Sequence, residues 1–290
     1  MKSRFAYLLI GVLFFSEAAA QSYKQRNQFI GRVKAIRIDL AYLDANGNPD
    51  KRGRHLSCLR AFDTNGNLTM SEDFYAYGKI SYGKDTYLYD AAGRMIETAH
   101  EINGSVYKTS YEYDGGGQLI RQDREGQGHR SKYIYNAEGK PKEGKRFTLD
   151  GADDGREDFS YDDIGRLKRR VLYDSQGSIA AEEARAYDGE GHLVSQSDAH
   201  VTRTYSARGQ LLLEVSKRTS DPYYRKVAYE YNANDLIAKE EEYDNKGLRR
   251  TFLYAYEYDP QRNWIKEMTT QTSREEEKQI WESYRTITYY

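Results

Sequence analysis

Residues 159–193 read FSYDDIGRLKRRVLYDSQGSIAAEEARAYDGEGHL, and this stretch decides the fold. It holds three copies of Tyr-Asp-x-x-Gly, whose aspartates are Asp162, Asp174 and Asp188, at steps of 12 and 14 residues. Self-similarity at a fixed short spacing is the sequence signature of a repeat architecture. The chain is therefore predicted to consist of one small unit that is used many times.

The same frame continues along most of the chain while single letters change. An Asp, Asn or Ser at the first turn position accepts hydrogen bonds from backbone amides two residues on, and a Gly at the fourth tolerates a left-handed conformation. Together they predict a type I turn followed by a G1 bulge, which is a common hairpin loop. The residues assigned to these structural turns are Asp63, Gly66, Asp90, Gly93, Asp114, Gly117, Asp162, Gly165, Asp174, Gly177, Asp188, Gly191, Asp244 and Gly247.

The hairpin loop also predicts which residues face each other across the strands. The residue before the Asp should face the residue five positions after the Asp. Tyrosines two positions apart in a strand should project from one face and form a ladder. Exposed ion pairs across the turn add only about 0.2–1 kcal/mol each and tune the register. The predicted pairs are Tyr161 with Leu167, Tyr187 with Leu193, Tyr113 with Leu119, Tyr89 with Met95, Asp90 with Arg94, and Asp162 with Arg166.

The spacing of the turns predicts an all-β fold. Steps of 22 to 26 residues between some copies fit two strands with a weaker turn between them, at 103–104, 125–128, 150–151 or 220–222. We expect an antiparallel up-and-down hairpin array of about twenty strands that forms one long, twisted and curled sheet. The predicted divisions are a signal peptide (1–20), a lead-in segment (21–41), the repeat sheet (42–264) and a closing C-terminal hairpin or strand (265–290).

The first residues have the pattern of a secretory signal peptide. Lys2 and Arg4 precede an apolar run, and Ala18 to Ala20 form an A-x-A cleavage site, with cleavage expected after Ala20. The apolar run is shorter than the roughly 20 residues of a spanning helix, although an uncleaved anchor is the alternative. We expect a mature chain with no transmembrane segment, in the periplasm or secreted to the cell surface.

The composition excludes some classes of protein. Charged residues make up 31% and hydrophobic residues 38%, while Tyr numbers 28 against 9 Phe and 2 Trp. A thick apolar core is therefore not expected, and tyrosine suits a sheet whose faces are half exposed. A chain so rich in aromatic residues is not predicted to be disordered. A formal net charge of -1 gives no global attraction to nucleic acid or to an anionic membrane.

No catalytic, metal or cofactor site is predicted. Cys58 is the single cysteine, so an intramolecular disulfide is excluded and a buried apolar role is expected. The repeated aspartates could instead bind calcium, but the copies lie 12 or more residues apart and each Asp already has a turn to cap. The histidines are scattered without an H-E-x-x-H spacing, at His55, His100, His129, His192 and His200.

The segments 87–95 (YLYDAAGRM) and 159–167 (FSYDDIGRL) resemble the YD repeat of Rhs-type bacterial proteins. The resemblance covers roughly 42–264 and implies antiparallel strands in a spiralling sheet, which in large members forms a shell around a toxin domain. It also implies a link with carbohydrate binding, and with cell-surface contacts in teneurin-like relatives. The chain is expected to be too short to close a shell. Gln261 and Arg262 follow Asp259-Pro260 where large members have Asp-Pro-x-Gly, so self-cleavage is not expected.

Two functions fit these patterns, and neither is enzymatic. The first is an exported binding or scaffold protein of the bacterial envelope, with a carbohydrate, a cell-wall component or a protein as ligand on a tyrosine-rich surface. The alternative is a periplasmic immunity-type protein that binds and neutralises a secreted toxin. For any single tyrosine, the favoured interpretation is packing against the Leu and Ile of neighbouring strands in place of a thick core. The sequence does not specify which face or edge of the sheet would bind.

Overall fold

The strands and turns predicted from the repeat are present along the chain. The computed structural model describes residues 30–290 except 45–46, 76–77, 125–128, 137–138, 149 and 218–223. The predicted signal peptide, residues 21–29 of the lead-in segment and two candidate middle turns (125–128 and 220–222) lie outside the described residues. The turns at 103–104 and 150–151 are present.

Twenty β-strands form the described part of the chain. In chain order they are β1 (Val33–Leu43), β2 (Pro49–Phe62), β3 (Leu68–Tyr75), β4 (Ile80–Tyr89), β5 (Met95–Ile102), β6 (Ser105–Tyr113), β7 (Leu119–Arg124), β8 (His129–Tyr135), β9 (Pro141–Thr148), β10 (Asp153–Tyr161), β11 (Leu167–Tyr173), β12 (Ile179–Tyr187), β13 (Leu193–Asp198), β14 (Val201–Tyr205), β15 (Leu211–Lys217), β16 (Tyr224–Tyr231), β17 (Ile237–Asp244), β18 (Gly247–Tyr258), β19 (Trp264–Ser273) and β20 (Gln279–Tyr289). The all-β prediction is confirmed.

The sheet closes on itself. Each strand pairs antiparallel with the next one in the chain, and β1 also pairs antiparallel with β20 at ten positions between Val33 and Leu43. The predicted antiparallel hairpin array is therefore confirmed, but the long, twisted and curled sheet is corrected to a closed barrel. The closed 20-stranded barrel is favoured because it leaves no edge strand with unpaired backbone groups.

The predicted hairpin register is confirmed at all four tyrosine pairs, Tyr161 with Leu167, Tyr187 with Leu193, Tyr113 with Leu119 and Tyr89 with Met95. The ion pairs across the turn are present as well, for Arg94 with Asp90 and Arg166 with Asp162. The rule does not hold at Asp244, where Tyr243 faces Leu248 and not Arg249. In this hairpin Asp244 pairs directly with Gly247, so its turn is tighter and its strands are offset by one residue from those of the other repeat hairpins.

The two faces of the barrel differ in burial. Tyr87 pairs with Thr98, and Thr98 pairs with Thr109. Because directly paired residues project from the same face of a sheet, such pairings identify the residues of one face all around the ring. This face holds most of the buried side chains, including Ile36, Leu68, Met95, Tyr111 and Val227, whereas the other face carries exposed Leu88, Val106, Ile134, Leu253 and Met268. Side chains converge on the concave side of a closed sheet and diverge on the convex side. The buried face is therefore the inner wall.

The inner wall is polar as well as aromatic. Arg170 pairs with Glu157 at 2.6 Å, and Arg225 pairs with Glu242 at 2.5 Å. Barrels of about sixteen or more strands are too wide to be filled by side chains. These ion pairs therefore join side chains of the same wall, and they do not cross the interior of the barrel.

Consecutive turns lie at opposite ends of the barrel because every strand is antiparallel to the next. One end, here called the repeat rim, carries the turns that begin at Asp63, Asp90, Asp114, Asn136, Asp162, Asp188, Ser206, Asn232 and Asp259. The other end, the variable rim, carries the turns between β1 and β2, β3 and β4, and so on around the ring. The repeating unit in space is therefore a pair of strands with one repeat turn.

Candidate functional site

The residues assigned to turns fall on both ends of the barrel. Ten of them lie on the repeat rim, namely Asp63, Gly66, Asp90, Gly93, Asp114, Gly117, Asp162, Gly165, Asp188 and Gly191. Asp174, Gly177, Asp244 and Gly247 lie on the variable rim. Residues 159–193, which first suggested the repeat, thus contain two turns of the repeat rim and one turn of the variable rim.

The repeat-rim aspartates close their own turns. Asp162 Oδ1 accepts hydrogen bonds from the amides of Ile164 (3.2 Å) and Arg166 (2.8 Å), and Gly165 takes the left-handed conformation at φ 79°. Arg166 Nε donates to Asp162 Oδ2 at 2.6 Å. The Arg166 amide and side chain hold the pKa of the Asp162 carboxyl below its usual value. These oxygens are therefore occupied by the turn itself.

The described residues contain no group of three or more His, Cys, Asp or Glu side chains that could hold a metal ion. Cys58 is buried on the inner wall, and burial raises the pKa of its thiol. His192 bonds Asp188 Oδ2 at 3.2 Å within its own turn.

Tyrosine hydroxyl groups connect neighbouring turns of the repeat rim. At five repeat-rim turns, the tyrosine before the turn donates to the backbone carbonyl of the first strand residue after the previous repeat-rim turn. The described bonds are Tyr89 to Leu68 (3.0 Å), Tyr113 to Met95 (2.8 Å), Tyr161 to Pro141 (2.6 Å), Tyr187 to Leu167 (2.9 Å) and Tyr231 to Leu211 (2.9 Å). The tyrosine of the repeat is thus a structural link between units.

Tyr187→Phe is expected to lower the free energy of unfolding by about 1 kcal/mol, because the Leu167 carbonyl loses its hydroxyl partner. Urea denaturation of the purified protein measures the change. Tyr82→Phe is the control, since Tyr82 is 60% exposed and is expected to lose nothing measurable. Equal losses in the two variants would contradict the structural role of the repeat tyrosine.

Cationic side chains link the same turns in the other direction along the rim. The Arg94 guanidinium lies 5.0 Å from the Tyr113 ring centre, and the Arg166 guanidinium lies 4.5 Å from that of Tyr187. Lys140 Nζ donates to the Gly165 carbonyl. Internal contacts therefore join most neighbouring turns of the repeat rim.

A row of aromatic side chains crosses the inner wall from β18 to β2. Thr269 pairs with Tyr254 on one side and Trp281 on the other, and Trp281 pairs with Tyr42. Thr269 is only 1% exposed because these rings flank it. We define the aromatic row by its members Phe252, Tyr254, Trp281, Tyr42 and His55.

Four rings of the aromatic row contact one another in sequence. Phe252 meets Trp281 edge to face, with ring centres 6.3 Å apart. Tyr42 lies 6.3 Å from Trp281, and His55 stacks on Tyr42 at 6.2 Å with an interplanar angle of 18°. The five side chains stay partly exposed. They therefore offer ring faces to the interior of the barrel.

Two inner-wall carboxyl groups border the aromatic row. Glu240 of β17 faces Phe252 of β18, and Glu267 of β19 faces Tyr256 of β18. Burial raises the pKa of Glu240, to which the nearby Glu242 adds, and burial also raises the pKa of Glu267. These carboxyl groups hold a proton more readily than free glutamate does.

Glu267→Gln is expected to raise the free energy of unfolding relative to the wild type as pH increases from about 4 to 8. The raised pKa of Glu267 gives the folded state stability that is complete below the ordinary glutamate pKa and is lost as pH rises through the folded-state value. Glutamine does not titrate and so escapes that loss. Urea unfolding at several pH values measures the difference.

Glu282→Gln should show the opposite dependence. Burial raises the pKa of Glu282, but the hydrogen bonds from Lys266 and Tyr284 hold it below its usual value. Its contribution to stability is present above the ordinary pKa and is lost as pH falls, so this variant should lose stability at neutral pH and recover toward acid. The same slope in both variants would contradict the two assignments.

The aromatic row could not be found from the sequence. Alternation places Tyr254 and Phe252 on one face of their strand, but Tyr42 and Trp281 meet only because β1 and β20 pair. The sequence did contain one relevant pattern, the strand-like alternation of the last residues. This pattern predicts a closing strand but does not indicate which strand it pairs with.

The closed antiparallel ring with Tyr-Asp turns along one rim defines a YD-repeat shell. Residues 23–281 match the family model of the Teneurin YD-shell, and the chain belongs to this family. The resemblance to YD repeats is thereby confirmed. A search of curated protein sequences finds no significant match to the chain.

Similar solved structures are distant. A porin-like protein from Bacteroides uniformis is 13% identical with a TM-score of 0.41, over 90% of this chain and 99% of that one. The Tc holotoxin pore of Photorhabdus luminescens is 11% identical with a TM-score of 0.30, over 89% and 20%. The TcdB2–TccC3 complex without its hypervariable C-terminal region is 11% identical with a TM-score of 0.32, over 84% and 17%. The chain therefore spans a fifth or less of those toxin chains.

The described part of the chain contains no helix that is long and apolar enough to cross a membrane.

Proposed function

We propose that the protein is an exported, non-enzymatic binding and scaffold protein of the bacterial envelope that holds a carbohydrate or protein ligand on its inner wall. The aromatic row carries the proposal. Its rings are partly exposed inside the barrel, whereas repeat tyrosines such as Tyr187 use their hydroxyl groups to link turns. Ligand sites are typically concave and aromatic, with a few polar groups that fix orientation.

Closure of the ring limits how a partner can bind. All twenty described strands have a neighbour on both sides, so an extended peptide cannot add to an edge of the sheet. A ligand must therefore contact a wall or a rim. The repeat rim is occupied by its own contacts, which leaves the two walls and the variable rim, and only the inner wall carries the aromatic row.

The chemistry of the inner wall suits a carbohydrate. Aromatic faces such as those of Trp281 and Tyr42 can stack on the apolar face of a sugar ring. Gln271 and Glu267 lie on the same face beside the row and can hydrogen-bond hydroxyl groups. Gln271 Nε2 already donates to Glu276 Oε2 at 3.0 Å, which fixes its side chain.

Export follows from the predicted signal peptide at residues 1–20. The mass of the secreted chain tests it, because cleavage after Ala20 removes those residues. A secreted product that retains them would exclude a cleaved signal peptide.

The binding test uses tryptophan fluorescence and calorimetry. The chain has two tryptophans, so a Trp264→Phe protein reports on Trp281 alone. Titration with soluble peptidoglycan fragments and with neutral oligosaccharides should quench Trp281 and give a saturable heat of binding. Trp281→Ala should abolish the heat, and Tyr82→Ala, an exposed tyrosine outside the row, should leave it unchanged.

Affinity capture from the envelope fraction tests for a protein ligand, with Trp281→Ala and Tyr82→Ala as the two baits that are compared. A partner retained by Tyr82→Ala and lost by Trp281→Ala supports binding at the aromatic row. A single secreted toxin captured in equal amount to the chain would favour the immunity-type alternative. Retention of all partners by Trp281→Ala would contradict the inner-wall site.

A further inference from the structure

Among the described residues, the hairpin of β13 and β14 has the shortest ladder. The two strands pair at three positions only, Ser195 with Thr204, Gln196 with Arg203 and Ser197 with Thr202. The closure between β1 and β20, by comparison, has ten. Fewer backbone hydrogen bonds therefore hold the ring together at β13 and β14 than at the junction of the chain ends.

Packing does not compensate for the short ladder. Every side chain of β13 and β14 is partly or fully exposed, whereas β1 buries four of its own. The outward pairs, Ser195 with Thr204 and Ser197 with Thr202, are small and polar. Little apolar surface would therefore be newly exposed if the ladder separated.

The two repeat-rim turns beside this hairpin also differ from other copies of the repeat turn. Ser206 replaces the turn aspartate, and its hydroxyl accepts from the amides of Arg208 and Gln210 at 3.2 Å each. Asp90 makes the equivalent bonds at 2.9 Å with a charged oxygen. His192 stands where the Asp90 and Asp162 turns have an arginine that reaches the next turn, and His192 bonds within its own turn.

We propose that the barrel opens sideways between β13 and β14. Local opening in proteins begins where few backbone hydrogen bonds and few buried apolar contacts must be given up, and all three features coincide here. The opened ladder creates a lateral path to the inner wall. It also frees two strand edges, which the closed ring otherwise lacks.

Native-state hydrogen exchange of the unmodified protein tests the opening directly. The ladder amides of β13 and β14 should exchange about tenfold or more faster than those of the β1 and β20 ladder, under conditions in which the barrel stays folded. Exchange of both ladders at one common rate would overturn the proposal, and so would earlier exchange at β1 and β20.

A disulfide across the ladder provides the second test. Ser195→Cys with Thr204→Cys joins directly opposite positions, which lie within the Cα distance that a disulfide spans. The oxidised protein should show about tenfold slower exchange in β13 and β14 than the same protein after reduction. Arg37→Cys with Thr286→Cys, opposite positions of β1 and β20, is the matched control and should leave β13 and β14 unchanged. Unchanged exchange after oxidation of the first pair would refute lateral opening at this ladder.

Discussion

Arg170→Met is expected to lower the free energy of unfolding by about 3–5 kcal/mol. Arg170 Nη2 and Nε donate to Glu157 Oε2 at 2.6 and 2.9 Å, and the Glu157 residue is only 2% exposed. Methionine fills much of the same space but leaves the carboxylate buried without its cation. The cost is that of an uncompensated buried charge and not the net value of the pair.

Arg169→Met is the matched control, one residue earlier on the same strand. Arg169 makes two hydrogen bonds to Glu182 at 2.7 and 3.0 Å, but these side chains are 47% and 41% exposed on the outer wall. Water solvates Glu182 when its partner is removed, so this loss should be small. Urea denaturation of both variants gives the comparison, and equal losses would show that inner-wall burial has no energetic consequence.

A double variant separates the charge from the packing. Arg170→Met with Glu157→Met removes the buried charge together with its partner, and most of the stability should return. If the double variant is as unstable as Arg170→Met alone, the loss comes from packing around Arg170.

The sequence was informative wherever the determinants of structure are local. The pairing of Tyr161 with Leu167 follows from the turn between them, because Asp162 and Gly165 suit the turn by their own backbone chemistry. The same reasoning placed most strands around the ring. It failed at Asp244, where the same letters give a different register.

Closure and the candidate site depend on contacts that no local pattern encodes. The pairing of Tyr42 with Trp281 joins residues near opposite ends of the chain. Alternation in β1 and β20 predicts that each strand has an inner and an outer side, but it does not say that the strands are neighbours. An open sheet and a closed ring share the same hairpin pattern, so the sequence could not distinguish them.

The repeat turn itself is altered at the point of closure. Arg262 takes the left-handed conformation (φ 67°) that glycine has in most other copies, and Asn263 follows it. The sequence showed only that the glycine is absent. In the structure, the Asn263 side chain holds the start of the described chain, which makes this turn part of the closure.

Asn263→Ala is expected to lower the free energy of unfolding by about 3 kcal/mol. Asn263 is 2% exposed, its Oδ1 accepts from the Ile30 amide at 2.8 Å, and its Nδ2 donates to the Ile30 carbonyl at 2.9 Å. Nδ2 also donates to the Tyr289 hydroxyl at 2.7 Å, and that hydroxyl donates to Asp259 Oδ2 at 2.9 Å. One amide therefore joins the segment before β1, the end of β20 and the last repeat turn.

Asn67→Ala is the control that makes this prediction specific, because Asn67 has the same position in the Asp63 turn. Its Nδ2 donates to Asp63 Oδ2 at 2.9 Å, within its own turn, so the expected loss is about 1 kcal/mol or less. Hydrogen exchange provides a second measurement. Asn263→Ala should speed exchange in β1 and β20, whereas Asn67→Ala should not. If Asn263→Ala destabilises the protein without faster exchange in these two strands, Asn263 supports its turn and does not hold the ring closed.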